Sequence, residues 1–95
     1  MTGSEKQIKW AEEIKIVTIE TFNKIQEEIG ENSTTPLFTK LADFFENCEE
    51  SASWIEFKEL KASNNYKANK DALLTKVMLT TKGLSDNKTL TNWLK

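Results

Sequence analysis

The stretch ADFFENCEES brings the one cysteine of this sequence together with a close cluster of carboxylates. Asp43, Glu46, Glu49 and Glu50 follow one another closely, and two such carboxylates suffice for a Mg²⁺ site or a general acid–base pair. The same spacing also describes the solvated end of a helix, and nothing beside it supplies a second catalytic group. Cys48 is the only cysteine, so no internal disulfide can form. Neighbouring negative charge raises a thiol pKa, so Cys48 reads as a buried, inert residue rather than a nucleophile.

The chain contains no histidine, which removes the commonest general base and the commonest metal ligand. One cysteine without histidine cannot assemble the usual zinc sites. The three glycines are isolated, so there is neither a phosphate-cradling loop nor a nucleophile elbow. The expectation is a protein that is not an enzyme, with no catalytic residues, no metal and no cofactor.

Charge is distributed unevenly. Residues 1–60 carry six Lys and thirteen Asp or Glu, a balance of −7, and residues 61–95 carry seven Lys and two Asp, a balance of +5, which together give the net −2. Such halves serve separate partners or attract each other. The basic half offers Lys67, Lys70, Lys76, Lys82 and Lys88 to phosphates, with Tyr66 or Trp93 to stack on a base. Every basic residue is Lys, which removes bidentate arginine readout of guanine. On a helix wheel Lys70, Lys76 and Lys82 point in three directions, and DALLTKVMLTTKG lacks a polar recognition face. Nucleic-acid binding through residues 61–95 is therefore the alternative reading.

These side chains have to be positioned by helices. Ser4 with Gln7 is a capping-box spacing, with Thr2 and Glu5 competing for the same role. A first helix is predicted from there to Ile29, with Gly30 as its stop. Ile8, Ala11, Ile14, Thr18, Phe22, Ile25 and Ile29 share one face of it, and Glu12, Glu20, Lys24 and Glu27 the opposite one. Trp10, Ile14 and Val17 form a second stripe along its flank. The β-branched run IKIVTIET leaves a short strand or a break open within residues 14–21.

ENSTTP reads as a loop ending in a Thr35 cap, with Pro36 in the first helical position. Leu37, Phe38, Leu41, Phe44, Phe45 and Cys48 follow at helical spacing. EESASWIEFKELKAS predicts a shorter amphipathic helix carrying Ala52, Ile55 and Leu60 with Trp54 and Phe57, begun near Ser51 or Ser53. A fourth helix takes Leu73, Leu74, Val77 and Met78 and ends at Gly83. Leu90, Trp93 and Leu94 belong to a short final one. Asn32-Ser33-Thr34 and Asn87-Lys88-Thr89 match the glycosylation sequon and read as a loop and a helix start. The prediction is a single all-α domain over 1–95, a compact bundle of four to five helices with a long N-terminal helix. No apolar run approaches the roughly 18 residues of a membrane span, and no secretory h-region opens the chain, so a cytoplasmic protein is expected.

The tryptophans separate scaffold from surface. Trp10, Trp54 and Trp93 fall in three helices, and most of them are needed as core. Trp10 borders the main apolar face between Lys6, Lys9 and Glu13, where an exposed tryptophan would make an interface hot spot. The segment TGSEKQIKWAEEIK also resembles the T-G-S/T-x-K-Q-I-x-W-A-E-x-I opening of small proteins carried by phages, plasmids and integrated elements of Gram-positive bacteria. SASWIEFK is similar to their alanine-serine-tryptophan-tryptophan-isoleucine stretch and lacks its second tryptophan. The resemblance covers residues 2–15 and 51–58, and it implies a bacterial mobile-element context rather than a chemistry. In that context the expected function is stoichiometric binding to a larger protein. One concrete form is inhibition of a host defence nuclease, as by an anti-CRISPR protein, with the acidic helices entering a basic nucleic-acid channel. Trp10, Glu12, Glu13, Glu20, Glu27, Glu46, Glu49 and Glu50 are the candidate contacts.

Overall fold

Ser4 starts the first helix as its spacing requires: its hydroxyl accepts the Gln7 N–H at 3.3 Å, and Gln7 Oε1 accepts the Ser4 N–H at 2.9 Å. In the computed structural model, which describes residues 1–30, 36–85 and 87–94, helix α1 then runs unbroken over Glu5–Ile29, with Gly30 as its C-cap. Neither strand nor break occurs at IKIVTIET. Ile14, Val17, Thr18 and Thr21 all turn inward there, and their packing outweighs the modest helical cost of β-branching. At 1.5 Å per residue α1 is about 37 Å long, and the molecule measures 39 Å along its longest axis. Two of the remaining helices pack directly against this rod.

α2 spans Pro36–Asn47, α3 Ser51–Ile55, α4 Tyr66–Thr81 and α5 Lys88–Trp93. Proline does open α2, while the Thr35 cap lies outside the described residues. α1 packs on α3 and α4, and α5 closes the bundle against α2, α3 and α4. An aromatic cluster joins these layers. The Phe44 ring lies 5.6 Å from Phe45, 5.6 Å from Trp54 and 5.8 Å from Trp93, centroid to centroid. Phe22 of α1 meets Phe45 edge-on at 5.0 Å. Such pairs add about 0.5–1.5 kcal/mol each beyond area burial. The Trp54 indole N–H donates to the Cys48 carbonyl at 3.0 Å, so its one polar atom is satisfied in full burial.

Two predicted elements differ from their sequence patterns. The helix expected through EFKEL ends at Ile55, and tight turns follow it. Phe57, Lys58 and Leu60 each donate to the carbonyl three residues back, at 2.9–3.0 Å. Residues three apart eclipse in such turns, which drives both Phe57 and Leu60 into the core. Ala52, expected inside, is exposed, and Ser51 and Ser53 are buried in its place. Ser53 is admitted by Asn87, whose Oδ1 accepts its hydroxyl at 3.1 Å and whose Nδ2 donates to its carbonyl at 3.3 Å. On α4 the inner face is Asn69, Leu73, Val77 and Thr80, while Leu74 and Met78 point outward, 36% and 53% exposed. Asn69 earns its buried place by bonding both backbone groups of Lys61, accepting from its N–H and donating to its carbonyl at 3.1 Å each.

The N-terminal residues are pinned to the α2–α3 connection. Thr2 donates its N–H to the Glu49 carbonyl at 2.7 Å and accepts the Ser51 N–H at 3.2 Å, a single parallel bridge. Gly3 follows at φ 124°, and a Cβ there would drive into the Ser51 hydroxyl. Only glycine fits both the backbone angle and the space.

Candidate functional site

The flank stripe of α1 becomes one wall of a groove. Trp10, Glu13, Ile14 and Val17 face the turn segment Lys58–Ala62 across a volume of about 640 Å³. Its floor is apolar, built from Ile14, Val17, Leu60 and Ala62, and its rims carry Glu13 on one side and Lys58, Glu59 and Lys61 on the other. Each wall has a local cause. Ile14 and Val17 are fixed by α1, their inner surfaces buried in the core. Leu60 is fixed by its burial, and Lys61 by the double hydrogen bond from Asn69. Trp10 stands at the edge, 47% exposed.

The groove continues along α1 into a smaller, polar cleft lined by Glu20, Thr21, Lys24, Asn64, Tyr66 and Asn69. Lys24 and Lys70 lie 5.6 and 6.0 Å from the centre of the Tyr66 ring, within reach of a cation–π contact. Lys70 also pairs with Glu28 at 2.6 Å. That hydrogen bond, followed by the proximity of the Tyr66 hydroxyl, lowers the Glu28 pKa. Burial, and secondly the Glu28 carboxylate, push the Tyr66 phenol up to about 12.

The candidate protein-binding residues do not form one patch. Trp10 and Glu13 share the groove, and Glu20 lines the adjoining cleft. Glu12, Glu13, Glu20 and Glu27 are exposed on α1 within about 100° of one another on the helix wheel, with Lys9 and Ile16 set among them. Glu46 lies apart on α2, beside Asp43. Glu49 faces the Met1 amino group at 3.4 Å, and Glu50 accepts the Thr89 hydroxyl at 2.8 Å. Asp43 accepts the Asn47 amide at 2.8 Å. Asp43, Glu49 and Glu50 are thus each engaged in a bond within the fold, and among the described residues no group of three potential ligands converges on a metal-sized site. Cys48 is buried, and burial first, with Glu50 and Glu49 adding, raises its thiol pKa.

Among the alternative nucleic-acid contacts, Lys70 is held by Glu28 and Tyr66. Lys76 lies half-buried beside Asp71 and Glu59. Lys67, Lys82 and Lys88 are exposed at the two ends of α4 and the start of α5. Trp93, offered as a stacking platform, packs on Phe44 instead, and Trp54 is wholly buried. The far wall of the groove was absent from the sequence reading, because Lys58–Ala62 fell inside a predicted helix. The Trp10–Ile14–Val17 stripe was the one signal that pointed to it. No helix among the described residues is long and apolar enough to cross a membrane. No protein-family model, curated protein or solved structure matches the chain.

Proposed function

We propose that this chain is a non-enzymatic protein-binding protein that docks a larger partner along α1, with Trp10 as the anchor. The observation that carries the reading is a half-exposed tryptophan at the edge of an apolar-floored groove with charged rims. Buried apolar centres ringed by polar groups are the usual anatomy of interface hot spots, and tryptophan is enriched in them. The resemblance of the opening segment to proteins of mobile elements supports a bacterial accessory role. Its concrete form is stoichiometric inhibition of a host defence nuclease, anti-CRISPR-like, in which the α1 glutamates lie along a basic channel while Trp10 fixes the register. Nucleic-acid binding by the basic segment remains the second reading, favoured by the exposed Lys67, Lys82 and Lys88.

The test is affinity capture from a bacterial host lysate with wild-type and Trp10→Asp baits of equal helicity. A protein recovered by the wild type and lost with W10D is the expected result. Equal recovery by both baits, or recovery of nucleic acid alone, contradicts the proposal.

A further inference from the structure

The far wall of the groove is bonded to itself before it is bonded to any helix. The Asn64 side-chain amide donates to the Glu59 carbonyl at 3.3 Å, and the Asn64 N–H donates to the Lys61 carbonyl at 3.0 Å. Residues 59–64 therefore form one turn unit. Leu60 pins that unit to the core. Lys61, Ala62, Ser63 and Asn64 are all exposed, so burial does not place them. Among the described hydrogen bonds, those that tie this exposed end to a helix come from Asn69 of α4. Asn69 is only 5% exposed, and its amide presents an acceptor to the Lys61 N–H and a donor to the Lys61 carbonyl, both at 3.1 Å. A side chain that only donates or only accepts would serve one of the two backbone groups. The helix itself gains nothing from the residue, since asparagine is a weaker helix former than leucine or alanine. Its use lies outside α4, at the wall.

We propose that Asn69 is the positioning residue of the docking groove, holding Lys61 and Ala62 where they face Ile14 and Val17 of α1. The inference rests on the reading of the groove as a protein-docking surface, and it assigns the shape of that surface to a side chain outside its lining. With Asn69 in place the turn unit is held at two points, Leu60 and Lys61. Without it, the exposed end is free to pivot about Leu60. A wall fixed before a partner arrives spares the ordering cost that a loose segment adds to association.

Two readouts on the full chain test it, amide hydrogen exchange followed by NMR and capture from a bacterial host lysate, with wild type, Asn69→Leu, Asn69→Asp and Trp10→Asp. Leucine has a similar volume, so Asn69→Leu removes both bonds without opening a cavity. Aspartate keeps the acceptor for the Lys61 N–H and loses the donor, and either variant decides the test if the other fails to fold. In Asn69→Leu the Lys61 amide should exchange about tenfold faster or more, with the Ile14 and Val17 amides unchanged. Protein captured by that bait should fall by a similar factor, and Asn69→Asp should lie between it and the wild type in both readouts. Trp10→Asp should lose capture and leave Lys61 exchange as it is. A Lys61 amide that exchanges equally in wild type and Asn69→Leu overturns the proposal. Faster exchange with undiminished capture overturns it too, and leaves the docking surface standing if Trp10→Asp still loses the partner. Loss of capture in Asn69→Leu but not in Trp10→Asp does the reverse, removing Trp10 as the anchor and upholding the wall. A wild type that recovers no protein takes away the docking reading and this assignment with it.

Discussion

Asn87 does more at one position than its type announces. Its Oδ1 accepts the Ser53 hydroxyl and the Leu90 N–H, and its Nδ2 donates to the Ser53 carbonyl. It caps α5 and ties that helix to α3 inside the core. Asn87→Ala removes the cap and strands buried polar atoms of Ser53, so it should cost about 2–3 kcal/mol in chemical denaturation. A loss below about half a kcal/mol, the size of an ordinary surface substitution, would mean that water replaces the side chain. Tyr66 offers a spectroscopic check, since it is the only tyrosine. Its hydroxyl is shielded from water close to the Glu28 carboxylate, and burial first, then that carboxylate, raises its pKa to about 12. A raised acid pKa favours the neutral form in the fold. Its stabilising share is therefore complete below the ordinary value of 10.0 and lost as the pH rises through about 12. Tyrosinate absorbance should appear with a midpoint well above that of the denatured chain, and coincident midpoints would refute the burial.

At the scale of the element, α1 shows what local pattern reveals. Its cap, its stop and most of its inner face follow from local spacing, so Ser4, Gln7, Gly30 and the stripe Ala11, Ile14, Thr18, Phe22 and Ile25 are legible, while Thr21 turns inward outside that stripe. The helix also carries one visible fault. The Thr18 hydroxyl is buried with no partner among the described residues, whereas Thr21 three residues on donates to the Val17 carbonyl at 2.8 Å. Thr18→Val keeps the shape and removes the orphaned group, so it should stabilise the protein by about 1 kcal/mol, read as a raised denaturation midpoint. A destabilised variant would show that the hydroxyl is satisfied in solution. The inner face of α4 was less legible, because Asn69 and Thr80 take places that the pattern assigns to Leu74 and Met78. Asn69 is drawn in by Lys61, eight residues earlier on a turn, and no helical period encodes that pairing. The turns at Phe57–Leu60 were missed for a similar reason. Burying residues three apart suits a tight turn as well as a helix, and only the packing decides between them.

For the whole molecule, the acidic front and the basic tail lie on one bundle, joined by the Lys70–Glu28 pair. Their opposite charges do not by themselves make two binding sites. The α1 glutamates spread along one outer arc, the acidic stretch after α2 is taken up by structural bonds, and the tail lysines diverge. What the assembled fold creates is the groove, where a helix flank legible in the sequence meets a wall that is not. The central claim is that this groove is the protein-docking face. The most direct measurement places a photo-crosslinking residue at Lys61, on the rim of the groove, and separately at Lys82, at the exposed end of α4, followed by irradiation in bacterial cells. The account predicts a discrete protein adduct from position 61 and none from position 82. Adducts confined to position 82, above all to nucleic acid, would contradict it.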